Sequence, residues 1–392
     1  MSLVLHRRVE KKPILSPMLL GRSLPSIADD MKNKISLLCT VSLLGAVLAP
    51  SSETDAAAQG CLAAHTSQPV ISALSDMGES HGSSPQAASR WLHHPLTIEV
   101  DWRSFSSFRH YSGEVENTQR AVLNTQIKNH QNIYEISASY QLTPRWSVNA
   151  FVPVLQGTRN QKYAPNGIYD IAGIGDMIVG AQGWVLRPPT ENGGNIAFNV
   201  GLKLPTGLNN GMGTGTLKGV TQKYTADQSL QPGDGTWGFT LGTQAYKATY
   251  FKTVGYFQGS WLFNPADTNG VPTFRSQPGE QVMSATDSYL FRSGLSRHVP
   301  YARGLSASFG GRMEGIPVRD AFGKSDGFRR PGYIISIDPG IQYDYRRTIV
   351  AVNAPWAIER NRRASVTDLA NHTHGDAAFA DYAVVVSLSH TF

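Results

Sequence analysis

Residues 96–103 read LTIEVDWR, with Leu96, Ile98, Val100 and Trp102 alternating with Thr97, Glu99, Asp101 and Arg103. Side chains of a strand point alternately to its two faces, so the octet predicts a strand with large apolar groups on one face and charges on the other. The same period returns along the chain. Tyr134, Ile136, Ala138, Tyr140 and Leu142 alternate with Glu135, Ser137, Ser139 and Gln141. Trp146, Val148, Ala150, Val152 and Val154 follow, and Ile196, Phe198, Val200, Leu202 and Leu204 alternate with Ala197, Asn199, Gly201 and Lys203. Shorter runs lie at 305–309, 333–337 and 382–388.

The connections alternate as well. Thr143-Pro-Arg145, Val299-Pro-Tyr-Ala-Arg303 and Arg346-Arg347 are tight, whereas 109–131, 157–175, 208–235, 264–287, 315–331 and 357–380 are long and rich in Gly, Asn and Asp. This pattern predicts an all-β, antiparallel transmembrane β-barrel of about 12 strands, with short periplasmic turns and long extracellular loops. Lipid offers the backbone no hydrogen bonds, so such strands must close into a ring. A strand of about 12 residues rises ~40 Å, and a 45° tilt projects that to ~28 Å, enough for the ~25 Å apolar band. Trp102, Trp146, Trp184, Trp237, Trp261 and Trp356 fall near predicted strand ends, where interfacial girdles belong. On this reading Glu99, Asp101, Arg103, Glu135 and Lys203 line the lumen. The connections 208–235 and 264–287 are long enough to fold inward, so a narrow, gated or partly plugged pore is expected.

Composition agrees with that class. Of the 392 residues 16% are charged, below the roughly one quarter of soluble domains, and 38 are glycine. With 41% hydrophobic residues and a mean hydropathy of −0.24, the chain is neither disordered throughout nor a helical membrane bundle. The net charge of +6 comes without a basic stripe, so nucleic acid is not a predicted partner.

Ile35–Pro50, ISLLCTVSLLGAVLAP, is too short to span a bilayer as a helix. Met31-Lys-Asn-Lys34 precedes it and Ala56-Ala57-Ala58 follows, which together read as a secretory signal peptide. The predicted organisation is a mis-called start or leader (1–30), a signal peptide (31–58), a flexible periplasmic lead-in (59–95) and a barrel (96–392) in the outer membrane of a Gram-negative bacterium. Cleavage after Ala58 leaves Cys61 without an internal disulfide partner, and Gln59 and Gly60 before it fit a lipid-anchor site poorly.

The segment 381–392, DYAVVVSLSHTF, resembles the closing strand of bacterial outer-membrane barrels, with Val384, Val386, Leu388 and Phe392 at alternate positions. The resemblance implies that the barrel-assembly machinery reads Phe392; His390 departs from the usual apolar residue. GIGD at 173–176, LKLPTG at 202–207, LQPGDGTW at 230–237 and GRMEGIPVRDAFGKSDGFRRPG at 311–332 resemble an outer-membrane transporter family labelled for a meta-pathway of phenol degradation. That family implies a barrel passing small, aromatic solutes, without catalytic residues.

Motifs that would carry other chemistry are incomplete. Gly78-Glu-Ser-His-Gly82 has neither the strand nor the helix of a nucleophile elbow. Gly323-Lys-Ser325 ends like a phosphate loop, but its first glycine position holds Val318. His372, His374 and Asp376 offer two imidazoles and a carboxylate, for which solvated side chains are the simpler reading, as they are for His93 and His94. No metal or cofactor is therefore predicted. Ser296 and His298 would serve a barrel enzyme acting on lipid, though His298 falls beside a periplasmic turn. Arg312, Arg319, Lys324, Arg329, Arg330, Arg360, Arg362 and Arg363 concentrate in the last two long loops and their strand ends. They form either a positive vestibule facing anions and lipopolysaccharide phosphates, or structural networks neutralised by Glu314, Asp320, Asp326, Glu359 and Asp368. The predicted function is passage of small-molecule solutes across the outer membrane. The alternatives are a lipid-acting barrel enzyme and a non-conducting surface barrel that binds lipopolysaccharide or a partner through its loops.

Overall fold

The computed structural model describes residues 96–160, 168–186, 193–217 and 220–392. The expected leader, signal peptide, lead-in and Cys61, the 78–82 motif and His93-His94 lie outside the described residues. Twelve antiparallel wall strands close into one ring. They are β1 (Leu96–Ser107), β2 (Asn129–Gln141), β3 (Trp146–Asn160), β4 in two segments (Ile168–Ile174 and Ile178–Trp184), β5 (Gly194–Lys203) and β6 (Gly238–Ala248). The ring continues through β7 (Thr253–Phe263), β8 (Ser288–His298), β9 (Leu305–Ile316), β10 (Gly332–Ile337 and Gly340–Tyr345), β11 (Thr348–Asn353 and Trp356–Arg362) and β12 (Ala383–Thr391). Closure comes from β12 on β1, in register from Thr97↔Thr391 to Phe105↔Ala383.

Side-chain alternation sets which face is which. On β5, Ile196, Phe198, Val200 and Leu202 are 46–59% exposed, whereas Asn195, Ala197 and Lys203 are at most 4% exposed. The apolar set faces out and the polar set faces in, the inverse of a soluble core and the arrangement of an outer-membrane barrel. Glu99, Asp101, Arg103, Glu135 and Lys203 all take the inward phase of their strands, as their sequence positions require. The last strand keeps its alternation too, and His390 meets the Thr348 hydroxyl at 2.8 Å on the neighbouring strand. One girdle expectation is corrected. Trp184 is 8% exposed and packs inward on Tyr246 and Ala197, because it shares the phase of Ile178 and Gln182.

Three wall strands are interrupted. β10 breaks at Asp338-Pro339 and β11 at Ala354-Pro355, where proline cannot donate to the ladder. β4 breaks at Gly175-Asp-Met177. The two chain ends of the barrel and the tight connections at 142–145, 249–252, 299–304 and 346–347 share one end. The long connections crowd the other. They carry their own short elements: Arg109–Ser112 paired with Ala377–Phe379, a hairpin of Met212–Leu217 and Val220–Thr225, the strands Thr268–Pro272 and Val282–Ser284, and a capped turn of helix at Val366–Ala370. Among the described residues no helix is long and apolar enough to cross a membrane.

Candidate functional site: the lumen and its inward-folded connections

The lumen is crossed by charge. Arg103 on β1 donates to Glu314 on β9 at 2.7 Å, a bond between strands four places apart around the ring. Arg312, also on β9, donates to the second Glu314 oxygen through Nε and Nη2 at 3.1 and 2.7 Å. Arg292 on β8 donates to Asp338 at 2.8 Å, and Asn353 donates to the other oxygen of that carboxylate at 3.2 Å. Arg103, Arg312, Glu314, Asp338 and Asn353 are buried, and in a low-dielectric interior pairing is what makes the charges tolerable.

Nearer the end with the long connections, Asp227 forms a latch. Arg330 grips its carboxylate with both guanidinium nitrogens at 2.7 Å, and Arg159 on β3 reaches it at 2.9 Å. Asp227 also caps the turn Gln228–Leu230, accepting from the Ser229 amide at 3.1 Å. Burial alone would raise its pKa; the two guanidiniums and their hydrogen bonds outweigh burial and hold it well below the usual carboxylate range. The turn is thereby seated inside the barrel. Gln131 of β2 donates to the Ser229 carbonyl at 3.1 Å, and Leu230 is fully buried beside Ile171 and Ala226. Gly157 makes room for it, since a Cβ there would stand 2.7 Å from Leu230. Gln228 donates to the Ser284 carbonyl at 2.7 Å, and Arg275 and Arg330 lie over the Phe328 ring at 4.4 and 4.7 Å. The connections 204–237, 264–287 and 317–331 are thus fastened to one another and to the wall.

A third node sits at the break in β4. Asp176 accepts from the backbone amides of Gly207, Asp234 and Gly235 at 2.9, 2.8 and 3.3 Å. Lys203 pairs with Asp234, and Asn264 donates to the same carboxylate at 3.1 Å. The short segments GIGD, LKLPTG and LQPGDGTW, separated in sequence, therefore meet here. Glycine is needed at 207 and 233, where a Cβ would come within 2.6 Å of the Asp176 amide and 2.8 Å of the Gly207 Cα. The fourth segment, 311–332, supplies Arg312, Glu314 and Arg330 to the other two networks.

Open recesses in the wall of the lumen include one bordered by Asn149, Phe151, Ile178, Asn199, Thr240 and Ser260. Another is bordered by Tyr256, Gln258, Arg292, Ser296, Ser308 and Gln342. Inside the barrel, Phe105, Ile133, Leu155, Ala380 and Ala383 form a buried apolar cluster toward the long connections, and Trp184, Ala197 and Tyr246 form another toward the tight turns.

The eight cations grouped by sequence divide in two. Arg312 lies on β9 facing inward rather than in a loop, and Arg329, Arg360 and Arg362 are also buried. Arg329 pairs with Asp320, Arg360 with Asp381 and Arg362 with Asp368, so with Arg312 and Arg330 they belong to structural networks. Arg319, Lys324 and Arg363 stay exposed. The 372–376 residues do not converge on one point: His374 donates to the Arg362 carbonyl at 2.8 Å, while Asp376 meets His110 at 3.2 Å and Arg120 at 2.5 Å. Among the described residues no group of three or more His, Cys, Asp or Glu is arranged to hold a metal. Ser296 and His298 are not paired with each other either. His298 meets Ser306 at 3.1 Å, and Ser296 donates to the Ala307 carbonyl at 3.4 Å. Asp227, Asp176 and Arg159 were not singled out from sequence. Arg159 had a signal in its inward phase on β3 and Asp176 in the GIGD segment it ends; Asp227 had none, because its partners are remote in the chain.

Neither a family model nor a curated protein matches this chain. Solved structures with similar shape include an outer membrane channel from Pseudomonas putida F1, at 13% identity and a TM-score of 0.49, covering 76% of this chain and 96% of that one. Another is the beta domain of the Bordetella autotransporter BrkA, at 12% identity and a TM-score of 0.40, over 75% and 100% of the two chains. The P. putida toluene transporter TodX follows at 10% identity and a TM-score of 0.36, over 76% and 90%. These likenesses are too distant to assign a function.

Proposed function

We propose that the chain is an outer-membrane channel for small solutes of mixed polarity, substituted aromatic molecules among them, and that its own inward-folded connections hold it shut until the Asp227 latch loosens. The observation that carries this reading is the pairing of a closed wall with an incompletely filled interior. Open recesses, one beside Asn149, Asn199, Thr240 and Ser260 and another beside Gln258, Ser296 and Ser308, remain inside a ring whose mouth is occupied by ion-paired chain segments. A barrel of about eight strands can fill its lumen with wall side chains alone, and twelve strands enclose a wider one. Here the wall instead turns small and polar residues inward, Gly201, Asn199 and Thr240 among them, beside Phe151 and Ile178. That lining suits a ring with a hydroxyl or carboxyl substituent, offering apolar contact to the ring and amide or hydroxyl partners to the substituent.

The test is flux through the purified barrel in liposomes, comparing phenol-sized solutes with sugars of similar mass. Wild type should pass the former slowly. Replacing 226–231 by glycine and serine, at equal length, should raise flux by roughly an order of magnitude by unseating the inserted turn. A folded variant of this kind that still passes nothing would overturn the channel reading in favour of a non-conducting surface barrel.

A further inference from the structure

Outside the ring, at the end with the long connections, the outward residues of β6, β7 and β8 are aromatic. Phe239 stacks on Phe263 at 4.8 Å and 13°, Trp261 stacks on Tyr289 at 5.0 Å and 25°, and Trp261 lies 5.9 Å from Phe263. The connection after β9 then folds down over this shelf and adds a ring of its own. Phe322 stands 5.9 Å from both Phe239 and Phe263 and keeps half of its surface (51%) exposed.

This connection is held in place at several points. Asp287 accepts from the Trp261 indole at 3.1 Å and from the Ala321 amide at 2.9 Å. Asp320 accepts from the Asp287 amide at 2.9 Å and from Arg329 at 2.8 Å. Asp267 accepts from the amides of Lys324 and Ser325. The segment is therefore a rigid bracket that presents Phe322 to the shelf and Arg319 and Lys324 to solvent beside it. Arg363, just after β11, is exposed as well, and its amide donates to the Pro331 carbonyl at 3.0 Å, at the far end of the same connection. None of these three side chains makes an ion pair among the described residues, in contrast to the five paired arginines inside. Asp326, also exposed, offsets one of the three charges.

We propose that the aromatic shelf and the three cations form one binding site for a phosphorylated, multiply acylated glycolipid of the lipid A class. Its acyl chains would lie along Phe239, Phe263, Trp261 and Phe322, and its phosphates would meet Arg319, Lys324 and Arg363. The chemistry fits this class better than a simple anionic phospholipid, because three separated cations match two phosphates on one headgroup, whereas a phosphatidyl lipid brings one. Aromatic rings at a membrane interface accept acyl chains on their faces while their polar edges stay wet. The proposal rests on the channel reading in one respect only, that the end with the long connections faces the outer leaflet.

Binding is read on the full-length barrel in detergent, by native mass spectrometry and by displacement of a fluorescent lipid A. Bis-phosphorylated lipid A should bind at least tenfold more tightly than phosphatidylglycerol. The combined Arg319→Gln, Lys324→Gln, Arg363→Gln variant should lose about tenfold in that affinity, and Phe322→Ala about threefold. Both should keep the heat-dependent electrophoretic shift of a closed barrel and unchanged solute flux. Equal binding by the triple variant, or equal affinity of wild type for the two lipids, would overturn the site. Because binding is measured without flux, a barrel that conducts nothing leaves this proposal standing, and a barrel that binds no lipid A leaves the channel reading standing.

Discussion

The two ends of the lumen are built differently, although the same twelve strands wall both. Toward the end with the tight turns, a recess is bordered by amides and hydroxyls, Gln258, Ser296, Ser306, Ser308 and Gln342 among them, and the only large inward apolar cluster of the described residues there is Trp184 on Tyr246 and Ala197. Toward the other end the interior is filled, by Phe105, Ile133 and Leu155 from the wall and by Asp227, Leu230 and Phe328 from the connections. The wall therefore sets the diameter, while segments outside the ladder set how much of it is open. This division of labour places the control of passage in loop residues, which can change without disturbing the hydrogen-bonded ring.

The contrast can be broken at its most loaded point. Asp227→Asn removes the charge that pairs with Arg159 and Arg330 and leaves the buried Arg159 and half-buried Arg330 guanidiniums facing a neutral amide. Breaking a buried pair in this way costs about 3–5 kcal/mol. The expected outcome is loss of hydrogen-exchange protection across 226–232 and frequent open events in single-channel recording, with the ring still closed. Unchanged protection would show that the apolar contacts of Leu230 hold the turn without the latch.

Acid should act on the same group more weakly. Asp227 has its folded-state pKa depressed below the ordinary value of 3.8, so its contribution is fully present at neutral pH and disappears only as pH falls through that depressed value. Channel opening should therefore be flat between about pH 8 and pH 5 and rise only at still lower pH. Opening that already sets in above about pH 5 would mean that some other group governs the inserted turn.

The smallest perturbation is steric. Gly157→Ala places a methyl 2.7 Å from Leu230, so the leucine must shift to keep its seat. Overpacking of this size costs about 1–3 kcal/mol. A modest rise in open-state noise, reversed by Leu230→Ala in the same background, would sharpen the view that the turn is seated by shape as well as charge.

The wall was largely legible in the sequence, and the filling was not. Strands such as Leu96–Ser107 and Gly194–Lys203 declare themselves because their two faces differ at every step. The strand Gly238–Ala248 does not, since Tyr246 turns inward and Thr243 outward, which flattens the contrast between its faces. The breaks in β10 and β11 fall at prolines that could be read, but the break at Gly175-Asp-Met177 depends on amides of residues some 30 to 60 positions away. The latch and the crossing bond are harder still. Arg159 and Asp227 are far apart in the chain and Arg103 and Glu314 are separated by 211 positions, so only the closed ring brings them together. The eight clustered cations illustrate the same limit, since proximity in sequence grouped five ion-paired arginines with three exposed cations.

The bond between Arg103 and Glu314 also bears on how the molecule comes into being. Its two ends belong to the first and ninth strands to emerge from the synthesis machinery, and the lumen that shelters it exists only once the twelfth strand has met the first. An incomplete sheet left in the bilayer would carry both charges on a face open to hydrocarbon, where ionised groups are costly. The crossing pair thus penalises every half-made intermediate and rewards the finished one, so that closure is favoured from within as well as at the seam.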